Sequence, residues 1–116
     1  MGVLSAGIQQ RVKALEAFLD DVYGPGECLN DGLIPRHIVT SSHHFRREAT
    51  GIVPRFATRI TVSGVDIIRD EVGNLRVLED NVRIPSGISY VIENRRAMTQ
   101  SFGSLFTNYR VLPVDE

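Results

Sequence analysis

The sequence predicts an α+β fold with N-terminal helices, a central antiparallel β-hairpin and a C-terminal helix. Three observations lead to this fold class. Apolar residues near the N-terminus recur at three- and four-residue steps, as on one face of an amphipathic helix. Two runs rich in β-branched residues flank a turn sequence at 70–74. Helical spacing of apolar residues then returns after residue 86.

The N-terminal helix is predicted from five apolar positions, which are Ile8, Val12, Leu15, Leu19 and Val22. A Gly-Pro-Gly sequence at 24–26 should end this helix, because neither residue type continues helical structure well. Pro35 suits the first turn of a helix, so a short helix is expected from there to about Val39. Residues 40–56 are polar and predict a long loop, which is either functional or stabilised by parts of a larger protein.

The hairpin is predicted from a first strand over residues 58–69 and a returning strand over 75–81. The length of its loop decides which residues face each other. A four-residue loop at 71–74 places Asp66 opposite Glu79, whereas a five-residue loop pairs Asp66 with Leu78 unless a β-bulge shifts the register. Two strands alone are marginally stable, so further strands are expected from the loop, the tail or another chain.

Glu79 and Asn81 lie at the end of the second strand. They are two residues apart, so on an extended chain they point to the same face, with Cα atoms ~6.7 Å apart. A carboxylate beside an amide oxygen suits Mg²⁺, which prefers oxygen ligands and often shares them with nucleotide phosphates. Arg83 follows and could bind a phosphate or carboxylate with two hydrogen bonds. The alternative is a polar strand end that faces water.

Asp66 is an acidic residue inside an otherwise apolar strand. Burying an unpaired carboxylate is costly, so Asp66 requires a partner or a metal ion. From the hairpin alone, an ion pair is the favoured explanation, with Arg59, Arg69 or Arg83 as the partner.

The C-terminal part is predicted to begin with Ser86 as the N-cap of a helix. That helix carries Ile88, Val91, Ile92, Arg95 and Met98. A second short helix is expected over residues 102–109, followed by an extended tail from Arg110.

Several motifs together resemble the circularly permuted ATP-grasp family, which is similar to the amide-forming domain of glutathionylspermidine synthetases. The motifs are Phe45-Arg46-x-Glu48, Gly64-Val65-Asp66, Val77-Leu78-Glu79-Asp80-Asn81-x-Arg83-x-Pro85-Ser86-Gly87 and Glu93-Asn94-Arg95. The resemblance extends from about Gln10 to Asp115, and it implies a partial ATP-grasp-like domain.

The resemblance implies an ATP- and Mg²⁺-dependent ligase that joins a carboxylate to an amine. Asp66, Glu79 and Asn81 match the magnesium-binding positions of the family. Arg83 and Ser86 match a loop that faces the substrate or the phosphates, which makes Arg83 a candidate substrate or phosphate contact.

Three departures from the family pattern affect this expectation. The related synthetases tend to carry an arginine two residues before the metal-binding aspartate, where this chain has Gly64. The catalytic arginine is therefore unassigned, with Arg59, Arg69 or a residue elsewhere as options. Lys13 is the single lysine, and no glycine-rich phosphate loop is present. Residues 1–116 are thus interpreted as one domain, a fragment of a circularly permuted ATP-grasp domain. The fragment would contain the metal-binding part of the family without most of the nucleotide site, and alone it is expected to have no ligase activity.

Composition and charge narrow the function classes. The chain has 116 residues, of which 42% are hydrophobic and 23% charged, within the ordinary globular range. A formal net charge of −1 and two isolated arginine pairs argue against nucleic-acid binding. No apolar stretch approaches the ~20 residues of a membrane span. Residues 1–6 lack the basic flank and apolar core of a signal peptide, so the expected location is the cytoplasm.

The cysteine and the histidines are not expected to be functional. Cys28 is the single cysteine, and it is interpreted as a small apolar residue in a packed connection. His43 and His44 are adjacent and point in different directions, with no third ligand at zinc-site spacing. His37 is expected at the surface.

Three hypotheses for the function remain open. The first is an enzyme fragment that binds Mg²⁺ while a second polypeptide supplies the nucleotide-binding part. The second is a non-catalytic interaction module that associates with itself or with a partner chain through exposed apolar surface. The third is a structural remnant whose acidic residues pair with arginines.

Overall fold

A computed structural model describes residues 2–52, 57–109 and 111–114. The elements are helices α1 (Gly2–Val22), α2 (Glu27–Asn30) and α3 (Arg36–Thr40), a 3-10 turn (Arg47–Ala49), strands β1 (Gly64–Arg69) and β2 (Leu75–Asn81), and helices α4 (Ile88–Ser101) and α5 (Gly103–Asn108). The mixture of helices with a small antiparallel sheet agrees with the predicted α+β class. The chain divides into two compact units, Met1–Thr61 and Val62–Glu116.

Helix α1 is confirmed and ends at Val22, just before the Gly-Pro-Gly sequence. A β-carbon on Gly24 would lie 2.6 Å from the Asp20 carbonyl oxygen, so the chain can pass this point only with glycine. Gly26 has a φ of 67°, in the left-handed region that favours glycine. The Asp21 carboxylate then accepts hydrogen bonds from the N–H groups of Glu27 and Cys28, at 2.7 and 2.9 Å. These bonds start α2, a helix that the sequence did not predict.

The end of the first unit is attached to α1 by charged side chains. Glu16 Oε1 accepts hydrogen bonds from the backbone N–H groups of Arg59 and Ile60, at 2.7 and 2.6 Å. The Arg59 guanidinium forms an ion pair with Asp20. Ile60 is buried, as are Val22 and Leu29.

The loop after α3 packs on one aromatic residue. Helix α3 follows Pro35, as predicted. The ring of Tyr23 stacks on Phe45 with centroids 5.2 Å apart. The Tyr23 hydroxyl accepts a hydrogen bond from the Arg46 N–H, and the Tyr23 carbonyl accepts one from Gly51. The predicted loop is therefore ordered on the first unit as far as residue 52, while its residues 53–56 lie outside the described part.

The second unit begins with the β-hairpin. Strand β1 starts at Gly64, so the prediction of a strand from residue 58 is wrong over its first six positions. The reason is that Arg59 and Ile60 donate their backbone N–H groups to Glu16 instead of to a neighbouring strand. Within the described residues the sheet has two strands, and the described tail at 111–114 adds none.

Helices α4 and α5 complete the second unit. The N-cap of α4 is Gly87, with no side-chain cap hydrogen bond, so the prediction of Ser86 as the cap is wrong. The Ile88 N–H donates to the Pro85 carbonyl instead, so a backbone turn starts the helix. Helix α5 confirms the predicted short helix near the C-terminus. Arg95 lies over the Phe106 ring and donates to the carbonyl oxygen of Leu112 at 2.6 Å, which holds the described tail.

No helix within the described ranges is both long enough and apolar enough to cross a membrane.

Candidate functional site

The turn of the hairpin is held by the Asp70 carboxylate. Its Oδ1 accepts hydrogen bonds from the N–H groups of Val72 and Asn74, at 3.2 and 2.7 Å, and its Oδ2 accepts one from Arg76 Nε at 2.9 Å. The Arg76 hydrogen bond is the main reason that the pKa of Asp70 lies below its ordinary value. Gly73 has a φ of 88°, which closes the turn. Five residues therefore form the loop, with Arg69 paired to Leu75.

A β-bulge in β2 shifts the pairing of the two strands by one residue between the turn and the strand ends. Ile67 pairs with Val77, but the next pair is Asp66 with Glu79, so Leu78 is the extra residue. Without this bulge, the five-residue loop would place Leu78 opposite Asp66. The bulge is the exception that the sequence analysis left open, and it brings the two carboxylates opposite each other.

Asp66, Glu79 and Asn81 line one cleft of about 570 Å³ in the second unit, here called the hairpin cleft. The register and the lining place the three side chains on one face of the hairpin, which is one of the alternatives that the sequence left open. Apolar and small residues form the rest of its lining, which consists of Val62, Ser63, Gly64, Ile84, Pro85, Ser86, Gly87, Ile88 and Val91.

The three polar side chains provide a set of oxygen ligands for a hard cation. Asn81 Nδ2 donates to Glu79 Oε1 at 2.9 Å, which leaves the Asn81 amide oxygen available as an acceptor. Asp66, Glu79 and Asn81 are all solvent-exposed. Of the arginines considered as partners of Asp66, Arg59 pairs with Asp20 and Arg69 donates to the Gly73 carbonyl. The donor set fits Mg²⁺.

The set is incomplete as a metal cage made only of protein ligands. In the described ranges no group of three or more histidine, cysteine, aspartate or glutamate residues could hold a metal ion. Mg²⁺ usually retains waters or shares substrate phosphates when few carboxylates are present.

The two residues predicted to contact phosphate or substrate differ in position. Ser86 lines the hairpin cleft at the start of α4. Arg83 is exposed, has other interactions, and is not among the described residues that line the cleft. The hairpin cleft therefore contains Ser86 but not Arg83.

Several residues of the cleft were not foreseen from the sequence. Ser63 precedes β1, and its hydroxyl oxygen is buried with no hydrogen-bond partner among the described residues. Ile84, Ile88 and Val91 form the apolar wall. The helical spacing of Ile88 and Val91 indicated one face of α4, but no sequence signal indicated what that face lines.

The surroundings of Cys28 favour its protonated thiol. Its hydrogen bond to the Asp21 carboxylate is the main reason that the pKa of the Cys28 thiol is raised. A raised pKa lowers the thiolate fraction, which is the reactive form.

Comparison with known proteins shows the family of the chain. A family model described as a circularly permuted ATPgrasp matches residues 1–116, the whole chain. The chain belongs to the circularly permuted ATP-grasp family. An uncharacterized protein of Mycobacterium tuberculosis is 59% identical over 113 residues, which are 97% of this chain and 20% of that protein. A protein of Synechocystis is 46% identical over 112 residues, 97% of this chain and 23% of that protein.

One further relative has a name that indicates a reaction. A protein of Frankia casuarinae with the provisional name glutamate–cysteine ligase 2-2 is 45% identical over 93 residues, 80% of this chain and 11% of that protein. The chain thus spans only 11% to 23% of the length of these three relatives.

Gly64 is the position where this chain departs from the arginine expected for related ATP-grasp synthetases. A β-carbon there would lie 3.0 Å from Pro85 Cβ, across the hairpin cleft. The loop before α4 approaches so closely that any larger residue would have to push it away. The close contact with Pro85 gives a local packing reason for glycine at this position.

Proposed function

We propose that the hairpin cleft binds Mg²⁺ together with the phosphates of ATP, as the metal-binding part of a carboxylate–amine ligase of the circularly permuted ATP-grasp family. Asp66, Glu79 and Asn81 would hold the ion. The observation that supports this proposal is the bulged register, which aligns two carboxylates and an amide oxygen on one cleft.

Each residue of the cleft would have a distinct part in binding. Asp66 and Glu79 would contribute negative charge from opposite strands, while the Asn81 hydrogen bond would keep the Glu79 carboxylate oriented. Ser86 lies where the first N–H groups of α4 are uncapped by any side chain, and such groups favour anionic ligands. Bound Mg²⁺ would neutralise phosphate charge during phosphoryl transfer to the carboxylate substrate.

We also propose that the nucleotide-binding part comes from polypeptide beyond this chain, either a second chain or a longer polypeptide, and that the chain alone is inactive. Lys13, the single lysine, lies in α1 of the first unit and is not among the residues that line the hairpin cleft. Phosphoryl transfer depends mainly on positioning and charge stabilisation of the phosphoryl group. The hairpin cleft supplies ligands for a metal ion but few cationic groups for that purpose.

The test is calorimetric titration of the chain with Mg²⁺, with and without a non-hydrolysable ATP analogue. We expect a dissociation constant on the order of millimolar for Mg²⁺ alone, and tighter binding when phosphates complete the coordination shell. Glu79→Gln should abolish the binding. Glu71→Gln is the matched control, because it removes the same charge from the exposed turn of the same hairpin. Equal binding by the Glu79→Gln variant and the unaltered chain would show that the metal site lies elsewhere.

A further inference from the structure

We propose that the outer face of the hairpin is an interface for the remaining polypeptide of a circularly permuted ATP-grasp protein. The outer face is defined by Val65, Ile67, Leu75 and Val77. The inference rests on the proposed function, since the same polypeptide would complete the ligase site.

The register determines which side chains form the outer face. Side chains alternate between the two faces of a strand. Gly64 and Asp66 line the hairpin cleft, so Val65 and Ile67 point to the opposite face. Ile67 pairs with Val77, and paired residues share a face. Val65 pairs with Asp80 and Leu75 pairs with Arg69, so the outer face has an apolar centre with one charged residue at each end.

The β2 half of the outer face lacks cover within the described part of the chain. Leu75 and Val77 are 44% and 38% exposed, whereas Val65 and Ile67 on β1 are half-buried. The strands contact mainly each other and make few contacts with the described helices. The buried apolar residues Val22, Leu29 and Ile60 all belong to the first unit. The described residues of the second unit therefore contain no fully buried apolar side chain, and a bare two-stranded sheet is only marginally stable.

The length of the relatives indicates what covers this face. The matched segment makes up 20% of the Mycobacterium tuberculosis protein, so four fifths of that polypeptide lies outside the match. Polypeptide tethered to the hairpin has a high effective concentration at its surface. A second copy of this chain would have to bind without that advantage. The occupant is therefore the remainder of the ATP-grasp protein, presenting an apolar surface.

The experiment measures burial of single positions by cysteine labelling. In a full-length chimaera, this chain replaces the matching fifth of the Mycobacterium tuberculosis relative, and Val77→Cys is introduced. Val72→Cys is the matched control, because Val72 is 81% exposed in the turn of the same hairpin and is not on the outer face. The rate of maleimide labelling is read at each position by peptide mass spectrometry, for the chimaera and for the isolated chain.

We expect similar labelling rates for the two variants in the isolated chain. In the chimaera, Val77→Cys should label about tenfold or more slowly than Val72→Cys, because labelling then requires local opening of the interface. Equal rates in the chimaera would overturn the proposal. Protection of Val77→Cys in the isolated chain that increases with protein concentration would also overturn it, because the occupant would then be a second copy.

Two controls keep the outcome decisive. If the chimaera does not fold, the same substitutions are made in the unaltered relative, at the positions that match Val77 and Val72. The labelling needs neither Mg²⁺ nor ATP. Protection of Val77→Cys without Mg²⁺ binding would therefore support the interface and refute the proposed function. Mg²⁺ binding without protection of Val77→Cys would support the proposed function and refute the interface.

Discussion

Deleting either of two residues in β2 tests whether the alignment of Asp66, Glu79 and Asn81 on one face creates the proposed metal site. Deleting Leu78 removes the extra residue, so the ladder becomes regular and Asp66 still pairs with Glu79. Deleting Asp80 makes Glu79 and Asn81 adjacent, and adjacent residues on a strand point to opposite faces. The two deletions shorten the same strand by one residue, but only the second separates the predicted ligands.

The expected size of the effect follows from the number of ligands that remain. Facing residues of an antiparallel pair have Cβ atoms about 4.5–5.5 Å apart, close enough to share an ion. Deleting Leu78 preserves all three side-chain ligands, so Mg²⁺ affinity should change little. Deleting Asp80 removes at least one ligand from the cleft and should weaken binding by about tenfold or more, equivalent to about 1.4 kcal/mol.

The assay uses Mn²⁺ as a paramagnetic substitute for Mg²⁺. Nuclear magnetic resonance lines of residues near the cleft should broaden on Mn²⁺ addition in the Leu78 deletion and not in the Asp80 deletion. Cross-strand contacts between Asp66 and Glu79, read from the same samples, report the register without metal. Loss of binding in the Leu78 deletion, with the Asp66–Glu79 contact preserved, would refute the assignment of the site to these ligands.

Three further predictions concern stability and activity. Glu16→Ala should lower the free energy of unfolding by about 2–4 kcal/mol in urea denaturation, because it leaves two backbone N–H groups without their acceptor. Glu16→Gln keeps an acceptor oxygen and should lower the free energy of unfolding by less than half as much. Hydrogen bonds from the thiol and the N–H of Cys28 lower the pKa of Asp21 in the folded state, so their stabilisation is present above the ordinary carboxyl pKa and lost as pH falls through the lowered value. Acid titration of the unfolding midpoint should show this loss in the unaltered chain and not in Asp21→Asn. The isolated chain should not hydrolyse ATP above background in a phosphate-release assay, and hydrolysis abolished by Glu79→Gln would contradict this expectation.

The elements that were predicted correctly depend on short-range patterns. The apolar spacing of α1 and the Gly-Pro-Gly sequence after it define that helix without reference to the rest of the chain. The two strands and the turn of the hairpin follow from β-branched runs and turn residues. Asp66 and Glu79 could be placed opposite each other only conditionally. The five-residue loop shifts the register by one residue relative to a four-residue loop, and the bulge at Leu78 shifts it back by one residue.

The elements that were predicted wrongly depend on distant contacts or on small backbone adjustments. Residues 58–63 have strand-like composition, but the Glu16 carboxylate, more than forty positions earlier, takes two of their N–H groups. The N-cap of α4 is Gly87, one residue after the predicted Ser86, because a backbone hydrogen bond to the Pro85 carbonyl replaces a side-chain cap. Ser63 in the hairpin cleft could not be found from its type, since an isolated serine before a strand is common.

The close approach of Gly64 to Pro85 has a consequence for ion size. A methyl group at position 64 would force Pro85 to move by a few tenths of an ångström, because its β-carbon would lie 3.0 Å from Pro85 Cβ. Oxygen ligands lie about 2.0–2.1 Å from Mg²⁺ and about 2.3–2.6 Å from Ca²⁺, a difference of the same size. Gly64 and Pro85 both line the hairpin cleft, so for the proposed Mg²⁺ site we expect Gly64→Ala to shift the ion preference from the smaller ion toward the larger one.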